Sequence, residues 1–193
     1  MSIPVARIDL MTGQLVTLDY AHHEVHGGSA FCSVVVDTSM GNSDTLNAAF
    51  KTPTGTKRVH LLIQFSTLVG GDLQLWEGAT WTQGSGAAMP IINRKRLATV
   101  KDSMLLEDRA QATFTLSNEM ISNVTGTNTA AATSLCRAYA FGSQNKAAGV
   151  RRGTSEWILK PGSTYLAVFT ATGGSNKAEL ALDWYEHTDK EET

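Results

Sequence analysis

The chain has 193 residues, of which 42% are hydrophobic and 18% charged, with a formal net charge of -2. That length suits one domain with a sizeable core, and the near-neutral balance gives no electrostatic reason to expect a nucleic-acid partner, since neutralising phosphates needs a concentrated basic face. No window approaches the roughly 18 uninterrupted apolar residues of a membrane span, and Met1 to Leu10 lacks the basic-then-apolar pattern of a secretory leader; the expectation is folding in a cytoplasm with no membrane partner.

Residues 1–19 read as an N-terminal arm, and 20–193 as the folded domain. The run His22-His23-Glu24-Val25-His26 reads as a polar strand, in which His22, Glu24 and His26 share one face because strand side chains alternate. Phe31 to Val36 is rich in β-branched residues and reads as an interior strand. Thr45 to Lys51 follows. Then Val59, Leu61, Ile63 and Phe65 alternate with His60, Leu62, Gln64 and Ser66, which predicts a strand with its apolar set on one side. Leu73 to Glu77, Thr113 to Leu116, Leu135 to Phe141, Trp157 to Lys160, Tyr165 to Thr170 and Ala178 to His187 complete the predicted strands. Turn chemistry separates them: Lys160-Pro161-Gly162-Ser163 places Pro and then Gly where a tight turn needs them, and Thr52-Pro53-Thr54-Gly55, Val69-Gly70-Gly71-Asp72 and Gly173-Gly174-Ser175-Asn176 do similar work. The fold expected is all-β, a single-domain jelly-roll-like β-sandwich. Two long segments, Thr80 to Lys101 and Gly142 to Ser155, interrupt the rhythm and read as loops that carry binding or assembly contacts.

Four of the five histidines lie in the opening run and in the last strand, Leu182-Asp183-Trp184-Tyr185-Glu186-His187, each beside a glutamate. His22, His23, Glu24, His26, Glu186 and His187 therefore form the candidate cluster. Imidazole and carboxylate suit Zn²⁺ or iron, but the intervals differ from the His-x-His, Glu and distant His spacing of a cupin. The favoured reading is a structural His/Glu cluster that ties the two ends of the sandwich together, with no cofactor and no turnover. No Gly-x-Ser-x-Gly elbow occurs, and Gly70-Gly71 lacks the Lys-Ser/Thr of a phosphate loop. Cys32 and Cys136 lie in apolar runs and are expected to be buried, inert thiols. Trp81, at the start of the first long loop, is a loop anchor or, alternatively, a glycan-stacking residue. Ile91, Ile92, Arg94, Lys95, Arg96, Arg151 and Arg152 are the candidates for contact with a protein partner, the basic residues pairing with an acidic surface and the isoleucines burying against it.

Several segments recur in a familiar order: His22-His23-Glu24-Val25-His26-Gly27-Gly28-x-x-Phe31, Thr52-Pro53-x-x-x-Lys57-x-x-His60, Leu75-Trp76-Glu77-Gly78-Ala79-Thr80, Asn93-Arg94-x-Arg96, Ile158-Leu159-Lys160-Pro161-x-x-Thr164-Tyr165 and Trp184-Tyr185-Glu186-His187. In this order the chain resembles the small β-rich capsid decoration, or head cement, proteins of tailed bacteriophages. The resemblance spans Leu18 to Thr188. It implies a virion structural protein without enzymatic activity, located on the capsid surface and assembled in the host cytoplasm. Its expected partners are the major capsid protein and copies of itself, as a homotrimer. A receptor- or glycan-binding virion protein using Trp81 is the alternative, and a metal-dependent enzyme of cupin-like shape using His22, Glu24, His26 and His187 a more distant one.

Overall fold

The period-two pattern is realised as a two-sheet sandwich in the computed structural model, which describes residues 20–96, 103, 105, 120–140 and 156–188. A short helix, α1 (Tyr20–Gly27), precedes the strands β1 (Ala30–Met40), β2 (Thr45–Lys51), β3 (Lys57–Thr67), β4 (Gly71–Glu77), β5 (Ala87–Ala88), β6 (Ile92–Asn93), β7 (Ile121–Ser122), β8 (Thr133–Ala140), β9 (Trp157–Ile158), β10 (Thr164–Ala171) and β11 (Asn176–Thr188). One sheet has the order β6-β1-β11-β3-β9 and the other β5-β7-β2-β10-β4-β8. All these pairings are antiparallel.

The pairings are nested. β1 pairs with β11, β2 with β10, β3 with β9 and β4 with β8, as if one long hairpin were laid across two sheets. The segment between β4 and β8 returns to pair at the far side of both sheets, β6 on β1 and β5-β7 on β2. It covers strand edges that would otherwise offer bare N–H and C=O groups.

The core lies between the sheets. Val59, Leu61 and Phe65 of β3 face it with Leu180, Leu182 and Trp184 of β11, and Leu46, Phe50, Leu73, Leu75 and Phe169 come from the facing sheet. Aromatic contacts run through it: Phe31 on Trp184 at 5.8 Å, Phe65 on Phe169 at 5.7 Å and Phe50 on Tyr165 at 5.5 Å between ring centres. A smaller cluster of Ala49, Ala79, Val124 and Leu166 lies on the other side of the second sheet.

Two sequence expectations change here. Positions 20–27 are helical, because the run ends in Gly27-Gly28 and this pair supplies a helix stop. Gly28 takes φ +77°, its N–H reaches the Val25 carbonyl at 3.1 Å, and the Ser29 N–H reaches the Glu24 carbonyl at 2.9 Å. This is the Schellman pattern of bonds that closes a helix through a left-handed glycine. The segment 80–96, expected as loop, contains β5 and β6. The proposed arm 1–19, the strand Thr113 to Leu116 and the loop Gly142 to Ser155 lie outside the described residues.

Tyr165 is fully buried, yet its hydroxyl is satisfied on both sides: it donates to Glu77 Oε2 at 2.7 Å and accepts from the Lys160 N–H at 2.7 Å. Burial foremost, and then the Glu77 carboxylate, hold the phenol well above its ordinary value of 10.0. Above pH 10 the unfolded chain loses this proton while the folded chain keeps it. The stabilisation is therefore complete below that pH and is lost as pH rises through the folded value, at a slope of about 1.4 kcal/mol per pH unit. Tyr165→Phe should cost about 2 kcal/mol at neutral pH through the lost hydrogen bonds, and the gap to wild type should narrow above pH 10. Urea titrations at pH 7 to 11 test this; a gap independent of pH would refute it.

Candidate functional site

The outward face of the first sheet is a grid set by register. Across one row lie Ala30, Tyr185, His60 and Ile158; across the next, Ile92, Cys32, Asp183 and Leu62. Val34 pairs with Ala181 and Val36 with Glu179 further along. Two features stand out on this face: a ring and carboxylate cluster at one end, and an apolar strip along β1.

The cluster centres on His60, buried although it points away from the core. Its ring stacks on Tyr185 at 4.5 Å and meets the edge of His187 at 4.2 Å between ring centres. Glu156, just before β9, closes the group. Its Oε1 accepts from His60 Nδ1 at 2.5 Å and from the Tyr185 hydroxyl at 2.6 Å. A carboxylate can only accept from these groups, so Nδ1 carries the proton in this contact. The arrangement docks the short strand β9 onto β3 and β11 through side chains, where the backbone ladder supplies two register pairs.

Two of the six residues expected to form one cluster, Glu186 and His187, are divided. Glu186 and His187 are neighbours on a strand and therefore point to opposite faces. Glu186 faces inward and is buried, with its Oε1 accepting from Trp184 Nε1 at 2.9 Å and from Ser103 Oγ at 2.5 Å. Ser103 Oγ in turn accepts from the Leu105 N–H at 3.1 Å. This carboxylate thus anchors the chain near 103–105 to the sandwich. His22, His23, Glu24 and His26 lie on α1, where residues two apart diverge by about 200°; Glu24 is buried and His26 exposed. The strand expected over these residues is a helix, in which Glu24 and His26 diverge. Among the described residues, no three His, Cys, Asp or Glu side chains are grouped so as to hold a metal ion.

Sequence reasoning missed His60, Glu156 and Tyr185 as partners. The available signal was a histidine at an outward position of an otherwise apolar strand. Its value depended on the β3–β11 register, which alternation alone does not give.

Of the contact candidates, Ile92 is 45% exposed and stands beside Cys32. Ile91 is half-buried and packs against the main core. Arg94 is exposed and forms an ion pair with Asp183 of β11. Lys95 runs its stem close to Gly28, and Arg96 is exposed. Arg151 and Arg152 lie outside the described residues. Along β1, Val34 and Val36 are 43% and 54% exposed, and continue the line from Ile92 through Cys32. Cys32 and Cys136 form no disulfide and are partly exposed, not buried as their apolar surroundings in sequence implied; Cys32 faces outward, and Cys136 sits beside a register shift between β4 and β8. Trp81 is half-buried and packs against the smaller apolar cluster, while also lining a cavity with Ala79, Thr80, Gln83 and Thr164.

Comparison with family models, curated proteins and solved structures gives no match to this chain. The structural assignments therefore rest on the geometry above.

Removing the Glu156 carboxylate orphans two donors at once. Glu156→Ala should lower stability by about 2 kcal/mol, with Glu156→Gln costing less because it retains an acceptor. Chemical denaturation of the three proteins checks this order; equal stabilities would show that the cluster ties nothing down.

Proposed function

We propose that this chain is a structural virion protein, a capsid decoration protein that binds the outside of a bacteriophage head and coats or stabilises it. The observation that carries the reading is the exposed apolar strip of Ile92, Val34 and Val36 on the outward face of the first sheet. β1 pairs with β11 along its length and with β6 at Phe31 and Cys32, and Val34 and Val36 point outward from the sheet face. Such a surface suits face-to-face burial against a protein. The Arg94–Asp183 ion pair borders it, as a polar rim borders an apolar contact.

The nested strand order supports a jelly-roll reading of the sandwich, and the ordered sequence segments support the virion role. The engaged carboxylates also fit it. Glu156 and Glu186 are engaged in holding chain segments onto the sandwich, a use suited to a coat protein that must resist local opening. In this reading the partner of the strip is the major capsid protein. The decoration protein itself assembles as a homotrimer, so that repeated weak contacts add up to firm attachment.

Purified protein should bind heads that lack it, and sedimentation equilibrium should give the mass of three protomers. Val34→Lys with Val36→Lys should weaken head binding by at least about tenfold, the equivalent of 1.4 kcal/mol, without changing the sedimenting mass. Failure of the wild-type protein to bind such heads would end the proposal. Loss of the trimer in the double variant would move the strip to the subunit contact.

A further inference from the structure

The cavity beside Trp81 stands apart from the strip and has a different chemistry. It measures about 250 Å³ and is lined by Ala79, Thr80, Trp81, Gln83 and Thr164. None of these side chains is charged. One aromatic wall is combined with two hydroxyl groups and one amide, over the floor of a fully buried alanine.

The surrounding chain is held in place from both sides. Thr80 and Asn128 exchange two backbone hydrogen bonds, at 3.0 and 2.8 Å, and the Thr82 N–H reaches the Thr125 carbonyl at 2.8 Å. Ser85 Oγ donates to the Thr82 carbonyl at 2.6 Å and accepts from the Thr125 N–H at 3.0 Å. Gly126, at φ +62°, lies so close to Thr82 that a Cβ there would fall 2.1 Å from the threonine hydroxyl. Thr164 Oγ1 donates to the Ala79 carbonyl at 2.7 Å, which ties the floor to β10. Trp81 itself is packed against the cluster of Ala49, Ala79, Val124 and Leu166. Its ring is therefore positioned before any ligand arrives, and little conformational freedom is lost on binding.

We propose that this cavity is a binding site for a neutral saccharide. An indole face accepts the C–H side of a pyranose, an amphipathic ring, while Thr and Gln groups exchange hydrogen bonds with its hydroxyls. Among the described lining side chains a carboxylate or ammonium would find no counter-charge, and it would lose hydration without return. The volume lies just below the range of about 300–1,000 Å³ typical of small-molecule sites, which sets the occupant at one sugar ring. The inference does not depend on the capsid reading, because it uses another surface.

The test uses the full chain and a panel of glucose, galactose, N-acetylglucosamine and N-acetylgalactosamine, with glucuronate and glucosamine as charged controls. Saturation-transfer NMR and calorimetry should show at least one neutral sugar binding with Kd of about 1 mM, as expected for a ligand of this size. The charged analogues should bind at least about tenfold more weakly. Trp81→Ala and Gln83→Ala should each weaken the neutral sugar by about tenfold. Gln83 is exposed, so its variant remains decisive if the Trp81 variant fails to fold. A polysaccharide purified from a bacterial surface separates the sources of the sugar. Its binding, competed by the monosaccharide, marks a surface-glycan site, and monosaccharide binding without it marks a free-sugar site. No binding by any neutral sugar, equal binding of glucuronate, or binding unchanged in both variants would overturn the assignment.

Discussion

The structure depends on the placement of one strand, β11, between β1 and β3. Thirteen residues long, it pairs with β1 from Ala30↔Tyr185 to Met40↔Asn176 and with β3 from Thr67↔Ala178 to Lys57↔Thr188. The last described strand thus completes the sheet begun by the first. Its inward residues, Ala178 through Trp184, fill the core, and its outward residues build the surface grid. A slip by one residue would exchange these two sets and expose the core face. The register is fixed at the start of the strand by Asn176, which is fully buried. Its Oδ1 accepts from Thr67 Oγ1 and the Val69 N–H, both at 2.9 Å, and its Nδ2 donates to the Gly70 carbonyl at 2.8 Å. These bonds stitch β11 to the turn between β3 and β4, so register and connection are set together. A fold closed by such distant segments pays loop-closure entropy before the long-range contacts form, and folds slowly relative to helical proteins of similar size.

That constraint explains the division of labour among the polar residues near the end of the chain. Glu186 is inward and holds 103–105; Tyr185 and His187 are outward and meet His60. Each polar group is used where alternation puts it, and buried carboxylates are supplied with donors, as the cost of desolvation requires. The same alternation leaves Val34 and Val36 outward on β1. The molecule therefore presents an exposed apolar strip on a sheet face, a surface that suits association with a protein.

Much of the sandwich is legible in the sequence because β-structure writes itself as period two. Thr45 to Lys51 has the bounds expected of it, and the split between Val59-Leu61-Ile63-Phe65 and His60-Leu62-Gln64-Ser66 matches the inward and outward sets of β3. The Pro161-Gly162 turn has its glycine at φ +66°, as that turn needs. The failures share a cause, since they concern what lies opposite what. Phe31 to Val36 reads as an interior strand rich in β-branched residues, but register places Val34 and Val36 on an outer face. The histidine-rich opening run is too polar to separate a period of two from a helical one, and the helix is marked by its stop at Gly28. Glu156 is separated from His60 by 96 positions, and no local pattern joins them.

The segment between β4 and β8 shows how the scaffold acquires a site it does not need for its core. Its strands β5, β6 and β7 cover edges of both sheets, which is a structural task. Thr80, Thr82 and Ser85 are meanwhile locked to residues 125–128 by backbone and side-chain bonds. Edge covering requires a run of paired backbone; it does not require a half-buried tryptophan beside a neutral, hydroxyl-lined cavity. Trp184 illustrates the contrast. It is buried in the core and its Nε1 is spent on Glu186, so that indole is fully accounted for by packing. Trp81 packs on the smaller cluster and also forms the wall of an open space. The packing explains why its ring is rigid. The cavity chemistry gives that rigidity a use.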